Sequence, residues 1–151
     1  MDLRPAVVAD APALSAMLFA LKAAGKRTRP CDIEFVRDYY IANAQSILCA
    51  VAFDGGEALG LQSLMRAADG NPYGAAPGYG IIGTHVSPTA ARRGVARALF
   101  DATLKAARDA KLPVIEAYIQ KSNAEGHAYY GAMGFAPVRE DGTALVRALT
   151  L

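Results

Sequence analysis

His85-Val86-Ser87-Pro88, followed by Ala91-Arg92-Arg93-Gly94-Val95-Ala96, opens a stretch from Thr84 to Phe135 whose reading decides the fold. The first four residues read as the end of a strand, because Pro88 disfavours helix at Ser87. Gly94 marks a turn, and an alanine-rich helix follows from about Arg93 to Ala110. Pro113 then starts a β-rich run, Val114-Ile115-Glu116-Ala117-Tyr118-Ile119, and a second helix carries Asn123, Tyr130, Gly134 and Phe135. Strand, glycine turn, helix, strand, helix is a βαβα unit. Its first turn aims backbone N–H groups at an anion.

Small residues at 94 and 96 let backbone approach a ligand closely, and the first N–H groups of a helix lack internal partners. An anionic ligand satisfies them, with the helix dipole adding attraction and Arg92 and Arg93 adding charge. An ordinary helix start with solvated arginines carries the same residues, so this segment alone does not decide between the two.

Outward from this unit, Asp2 to Val8 reads as a short extended start. Asp10 is placed to cap a helix whose Leu14, Met17, Leu18 and Leu21 form an i, i+3, i+4, i+7 stripe. Gly25 ends it, and Lys22, Lys26, Arg27 and Arg29 cluster in the connector. Asp32 caps a second helix with Ile33, Val36 and Tyr40 on one side. Ser46 to Phe53 and Ala58 to Met65 flank Asp54-Gly55-Gly56-Glu57, a hairpin signal. Residues 67–78 form a Gly/Pro-rich loop of the kind that serves as a lid or is simply mobile. A strand from Tyr79 to Val86 follows. In the long helix Val95, Leu99, Ala102 and Ala106 are placed on the buried face, opposite a charged ladder of Arg97, Asp101, Lys105 and Asp109. Ser122 and Glu125 match a capping box. Ala136 to Arg139 and Ala144 to Thr150 read as a closing hairpin around Asp141-Gly142. The order β-α-α-β-β-β-α-β-α-β-β implies a mixed sheet with helices on both faces.

Length and composition narrow the function classes. A chain of 151 residues reads as one domain over 1–151, long enough to bury a core. A hydrophobic fraction of 53% with 20% charged residues excludes disorder, and a net charge of +2 gives no argument for nucleic acid. Cys31 and Cys49 form no C-x-x-C, and two histidines leave little material for zinc, so no metal is expected. The apolar run from Ala11 to Leu21 is too short to span a bilayer, and no secretory signal is legible, so a cytoplasmic protein without a membrane partner is expected.

Gly78-Tyr79-Gly80-Ile81-Ile82-Gly83 matches G-x-G-x-x-G to the letter. A dinucleotide fingerprint must follow a strand and open a helix, whereas these glycines follow a loop and lead into a β-branched run. The match is set aside.

The stretch from Thr84 to Phe135 resembles the GNAT superfamily of acyl-CoA-dependent N-acyltransferases. The family's phosphate loop reads Gln/Arg-x-x-Gly-x-Gly/Ala, matched by Gly94 and Ala96. A later segment reads Asn-x-x-Ala-x-x-x-Tyr-x-x-x-Gly-Phe, matched by Asn123, Tyr130, Gly134 and Phe135. Ala91 occupies the first Gln/Arg position, and Gly126 replaces the alanine after Asn123. The resemblance extends to element order over nearly the full chain. It implies a single-domain α/β (α+β) GNAT-like fold, with a mixed, mostly antiparallel sheet and splayed parallel strands at its centre.

The resemblance also implies a site. Acetyl-CoA would lie with its pyrophosphate on Arg92, Arg93, Gly94, Val95 and Ala96, and its arm against Thr84, His85 and Val86, in a gap opened by a β-bulge, with Asn123 holding the arm or the catalytic geometry. The Val86 N–H would polarise the thioester oxygen, and Tyr130, near the sulfur, would protonate the leaving thiolate. An unperturbed tyrosine pKa of about 10 keeps the phenol protonated at neutral pH. The strand before the phosphate loop offers no carboxylate as base, so Glu116 on the neighbouring strand is placed in that role, with His85 or a water chain as alternatives. The expected reaction is acetyl transfer to the primary amine of a small molecule or peptide by direct attack. A longer acyl group, an acceptor other than an amine, and a non-catalytic acyl-CoA-binding or sensory module are the other readings. The basic connector would suit an acidic acceptor or simply be solvated, and Tyr39, Tyr40, Tyr73 and Tyr118 line a pocket or pack in the core. A homodimer is compatible with the chain.

Overall fold

The computed structural model describes residues 1–151. Strand β1 (Asp2–Pro5) and a 3-10 turn lead into helix α1 (Ala11–Ala23). Helix α2 starts at Ile33–Phe35 and widens into a π-helical turn over Val36–Ile41. Strands β2 (Ser46–Asp54), β3 (Glu57–Arg66) and β4 (Gly80–Val86) form a meander. Helix α3 (Val95–Asp109) crosses to β5 (Val114–Gln120), and α4 (Ala124–Ala132) precedes the hairpin of β6 (Ala136–Asp141) and β7 (Ala144–Thr150).

The seven strands lie in one sheet, in the order β1-β2-β3-β4-β5-β7-β6. Every neighbouring pair is antiparallel except β4 and β5, which the α3 crossover joins in parallel. That seam is short. Its partners are Gly80 with Ile115, Ile81 with Glu116 and Ile82 with Ala117, and no others. Beyond them β4 stays with β3 as far as the Gly60–Val86 pair, and β5 stays with β7 as far as Gln120–Ala144. The two strands therefore part at Gly83 and Tyr118.

The bulge expected in β4 is absent, since its register against β3 runs without a shift from Gly80 to Val86. Antiparallel ladders are slightly stronger per residue than parallel ones. As strands twist, the mismatch is released at the one parallel junction while each strand keeps its antiparallel partner.

Helices α1 and α2 cover one face, where Leu14, Leu18, Leu21, Val36 and Tyr40 pack on Val51 and Leu61. Helices α3 and α4 cover the other. There Phe100, Tyr130 and Phe135 pack on Ile82, Ile115 and Ile119, and Val95 and Leu99 pack on Ala50, Ala52 and Leu59. No helix is long and apolar enough to cross a membrane.

Three local expectations need correction. The buried stripe of α3 is Val95, Leu99, Thr103 and Ala107 with Phe100, while Ala102 is exposed and Ala106 half-buried. At 3.6 residues per turn each i+4 step turns the row by about 40°, so the buried stripe winds around α3 to follow the twisted sheet and leaves the straight line through 102 and 106. Asp10 does not cap α1; it takes two bonds from Arg4 (2.7 and 2.9 Å) and one from the Val7 N–H (2.8 Å), tying β1 to the helix start. The cap of α4 is Asn123, not Ser122, with Oδ1 accepting from the Gly126 N–H at 3.0 Å.

Candidate active site

At the start of α3 the backbone is left-handed at Arg92 (φ 63°) and at Gly94 (φ 74°), with Arg93 between them. Glycine tolerates this conformation, and for Arg92 it costs roughly 1 kcal/mol. Alternation of this kind turns successive N–H groups toward one concavity. The first intrahelical bond is Ala98 N–H to Gly94 O at 3.0 Å, so the amides of Val95, Ala96 and Arg97 have no helical acceptor, and no side chain caps them. A Cβ on Gly94 would meet nothing within 4 Å, so the concavity opens outward. Arg93 lies 3.6 Å from Asp54, an exposed pair that contributes little. The Val95 side chain is buried beneath α3, which leaves only its amide for a ligand. This donor set fits a diphosphate.

The second feature is the gap between β4 and β5. The Ser87 N–H donates to Leu59 O on β3 at 2.8 Å. Strand alternation then turns the His85 and Gly83 backbone toward β3, and that of Thr84 and Val86 toward the gap. Of the three strand residues expected to line it, Thr84 and Val86 are placed to do so. His85 is not: its ring lies on the opposite face of the sheet, against α2.

A chain of polar side chains spans the gap on the α3/α4 face. The Tyr130 hydroxyl, buried at the end of α4, lies 2.8 Å from Thr84 Oγ1. Thr84 Oγ1 also accepts from Gln62 Nε2 (2.9 Å), which donates as well to the Tyr129 hydroxyl (3.0 Å). Tyr129 in turn donates to Ala96 O at 2.8 Å, so it bridges α4 to the first turn of α3. Burial pushes the Tyr130 phenol well above the ordinary tyrosine range and that of Tyr129 upward too. Both remain protonated at neutral pH. Gln62 Oε1 is buried without a partner, an acceptor left over within the network.

Sequence reasoning missed Gln62 and Tyr129. A signal existed for the first: Gln62 lies in the run Ala58-Leu59-Gly60-Leu61-Gln62-Ser63-Leu64-Met65, where a buried amide needs a purpose. For Tyr129 there was none, since a tyrosine one position from Tyr130 reads as core or surface equally well.

On the other face, the two side chains weighed as bases are already engaged. Glu116 is 6% exposed, and its two oxygens each accept from Arg139 at 2.8 Å. Arg139 also donates to Tyr73 O at 3.0 Å, clamping the 67–78 loop onto the sheet. That loop is further folded on Asn71, whose amide bonds Ala68 O, Ala75 O and the N–H groups of Tyr73 and Ala75. His85 is half-buried. Desolvation, with the charges of Arg27 and Arg29, pushes its pKa down to about 3. Arg27 donates to the Tyr40 oxygen (3.1 Å), and the Tyr40 hydroxyl lies 3.3 Å from His85 Nε2, so the ring is already engaged. So placed, His85 is too weak a base for an amine at neutral pH.

Asn123 is exposed at the mouth of the gap, its Oδ1 occupied in capping α4 and its Nδ2 without an acceptor. A Cβ on Gly126 would lie 2.7 Å from that Nδ2 and 3.0 Å from Cγ. Glycine rather than alanine here is the direct consequence of this cap. No group of three His, Cys, Asp or Glu side chains converges to hold a metal. Two surface concavities, of about 410 and 460 Å³, lie beside α1 and α2 and border neither α4 nor β5.

The profile of the acetyltransferase (GNAT) family matches residues 17–135, the greater part of the chain, including the α3 amides, the strand gap and Tyr130. The chain belongs to that family. This GNAT is therefore an acyl-CoA-dependent acetyltransferase by family. Its fold is shared with solved structures of low identity. The PaiA N-acetyltransferase of Thermoplasma acidophilum, in complex with coenzyme A, is 15% identical with a TM-score of 0.76, covering 99% of this chain and 98% of the other. The ribosomal-protein-alanine N-acetyltransferase of Brucella melitensis is 22% identical with a TM-score of 0.73 and full coverage of both chains. The yncA protein of Salmonella typhimurium, with its cofactor acetyl-CoA, is 19% identical with a TM-score of 0.72, covering 99% and 93%. No curated protein sequence matches this GNAT significantly.

Proposed function

We propose that this GNAT transfers an acetyl group from acetyl-CoA to a primary amine by direct attack, within the one domain formed by residues 1–151. The observation that carries the reading is the juxtaposition of the unpartnered amides of Val95, Ala96 and Arg97 with a strand gap and a buried phenol. Structures of the same fold with coenzyme A and acetyl-CoA support the choice of co-substrate.

When bound, the coenzyme supplies an acyl carbon activated as a thioester. The α3 amides, with Arg92 and Arg93, hold its diphosphate. Thr84 and Val86 offer gap-facing backbone to its arm, and the Val86 N–H is aimed where negative charge develops on the acyl oxygen. The amine nitrogen bonds the acyl carbon as the carbon–sulfur bond breaks, and Tyr130 Oη gives its proton to the sulfur. Thr84 Oγ1 orients that phenol. With Glu116 held by Arg139 and His85 neutral, the proton lost by the amine passes to water rather than to either side chain, and water returns one to Tyr130.

Thiol release from acetyl-CoA across a panel of primary amines tests the reading. Turnover that stops when the amine is omitted supports it. Coenzyme binding without turnover on any amine would leave only the binding-module alternative.

A further inference from the structure

The face of the sheet opposite the coenzyme gap carries charge without a counter-ion. Arg27 is 7% exposed, yet no carboxylate lies within 4 Å of it; its bonds go to Pro30 O (2.6 and 3.3 Å) and to the Tyr40 hydroxyl. A buried guanidinium is ordinarily paired, because desolvating it alone is costly. Arg29, two residues on, is exposed. Its guanidinium lies 4.6 Å from the Tyr39 ring centroid and 5.6 Å from that of Phe35, again without a carboxylate in reach.

Three of the acids nearby are committed elsewhere. Glu116 is neutralised by Arg139, Asp38 pairs with Arg37, and the Asp32 carboxylate caps α2. Glu34 makes no ion pair with either arginine. The two cations act on His85, at the head of the strand gap, where they reinforce the loss of its proton. Positive potential therefore reaches the side from which an acceptor would approach the acyl carbon.

The walls around these cations are aromatic and closed over. The Tyr39 and Tyr73 hydroxyls bond at 2.5 Å, joining α2 to the 67–78 loop, and the Tyr73 ring packs on Tyr118 at 5.4 Å. Arg139 holds the same loop down through Tyr73 O. A roof tied at both ends favours a small molecule at its rim over a polypeptide threaded beneath it.

From the uncompensated Arg27 and Arg29 beside the Tyr39–Tyr73 roof, we propose that the acceptor is a small amine bearing a carboxylate. Arg29 receives the carboxylate at the rim, with Arg27 supplying fixed positive potential from within and the tyrosine faces packing on the body of the molecule. The assignment deepens the acetyl-transfer reading and rests on it for the role of the amine. The recognition itself does not need turnover.

Calorimetric titration tests the anion site directly, using L-phenylalanine and 4-(aminomethyl)benzoate, each against its carboxamide, on wild type and Arg29→Gln. The carboxylates are expected to bind at least about ten-fold more tightly than their amides, and Arg29→Gln to bring the ratio near one. Arg29→Lys should restore part of it. Equal binding within each pair, no binding of any probe, or a ratio unchanged by Arg29→Gln would overturn the proposal. The same amines assayed for thiol release separate the two readings. A carboxylate preference in binding without thiol release keeps this site and removes the transferase reading, whereas thiol release from neutral amines without that preference does the reverse.

Discussion

The Tyr130 hydroxyl and Thr84 Oγ1 lie 2.8 Å apart, joining the last turn of α4 to the strand that borders the gap. This contact aims a buried phenol across the opening, and burial raises its pKa so that the proton is retained at neutral pH. Tyr130→Phe removes the proton and little else. It should lower kcat by about 10²- to 10⁴-fold while leaving acetyl-CoA affinity within roughly three-fold. Thr84→Val should give a smaller kcat loss of the same kind. Steady-state kinetics with calorimetry checks both, and an unchanged kcat in Tyr130→Phe rules out the acid.

Gly94 at φ 74° serves conformation rather than space, since nothing lies within 4 Å of a Cβ there. Gly94→Val forces the turn out of the left-handed region and should weaken coenzyme binding at least about ten-fold by misdirecting the α3 amides. Gly94→Asn, which tolerates that region, should keep most of the affinity. Wild-type titration of the valine variant would contradict the cradle.

His85 has a folded-state pKa near 3, below its ordinary value of about 6.5. Between those two values the unfolded chain binds the extra proton and the folded chain does not. Stability is therefore complete above about pH 6.5 and falls as pH drops toward 3. His85→Phe should flatten this part of the profile, measured as the denaturant midpoint from pH 7 to pH 4. No kinetic inflection between pH 5.5 and 8 should belong to His85.

Glu116 and Arg139 form the tie that holds the 67–78 loop to the sheet. Glu116→Gln leaves a guanidinium short of its counter-charge and should cost about 1–3 kcal/mol, read as a lower denaturant midpoint. If water takes the amine proton, the pH dependence of kcat in this variant keeps its wild-type shape. Loss of the acidic limb would instead assign Glu116 as the base.

Asn123 caps α4, and the proposed mechanism also sets it against the coenzyme arm. Asn123→Asp keeps the oxygen that caps α4, so thermal stability should hold, while the Nδ2 donor toward the coenzyme arm is gone and KM for acetyl-CoA should rise. Gly126→Ala presses on Nδ2 and the cap together, so it should cost about 1 kcal/mol and also raise the KM for acetyl-CoA. Identical effects in the two variants would mean that Asn123 acts through the helix alone.

The frame was legible because its signals are local. Gly55-Gly56 announces a hairpin, Pro113 a strand start, and Asn123 to Phe135 a helix of fixed register. The single parallel junction followed from a helix lying between two strands. Which atoms are free at the site was not legible, because that depends on partners distant in sequence. Glu116 reads as an available carboxylate until Arg139, 23 residues away, is seen to occupy both its oxygens. His85 reads as a proton carrier until Tyr40 and two arginines from another element surround it. Gln62 hides in an apolar run, and its bond to Tyr129 spans 67 residues.

The three-pair seam between β4 and β5 has a mechanical consequence. It divides the sheet into two leaves, each stitched internally by long antiparallel ladders and joined along a spine only three rungs deep. A wedge driven between the leaves has few rungs to break, whereas the long ladders hold each leaf together. Separation of the leaves is therefore expected to begin at the open end, with Ile81 and Ile82 the rungs that resist it.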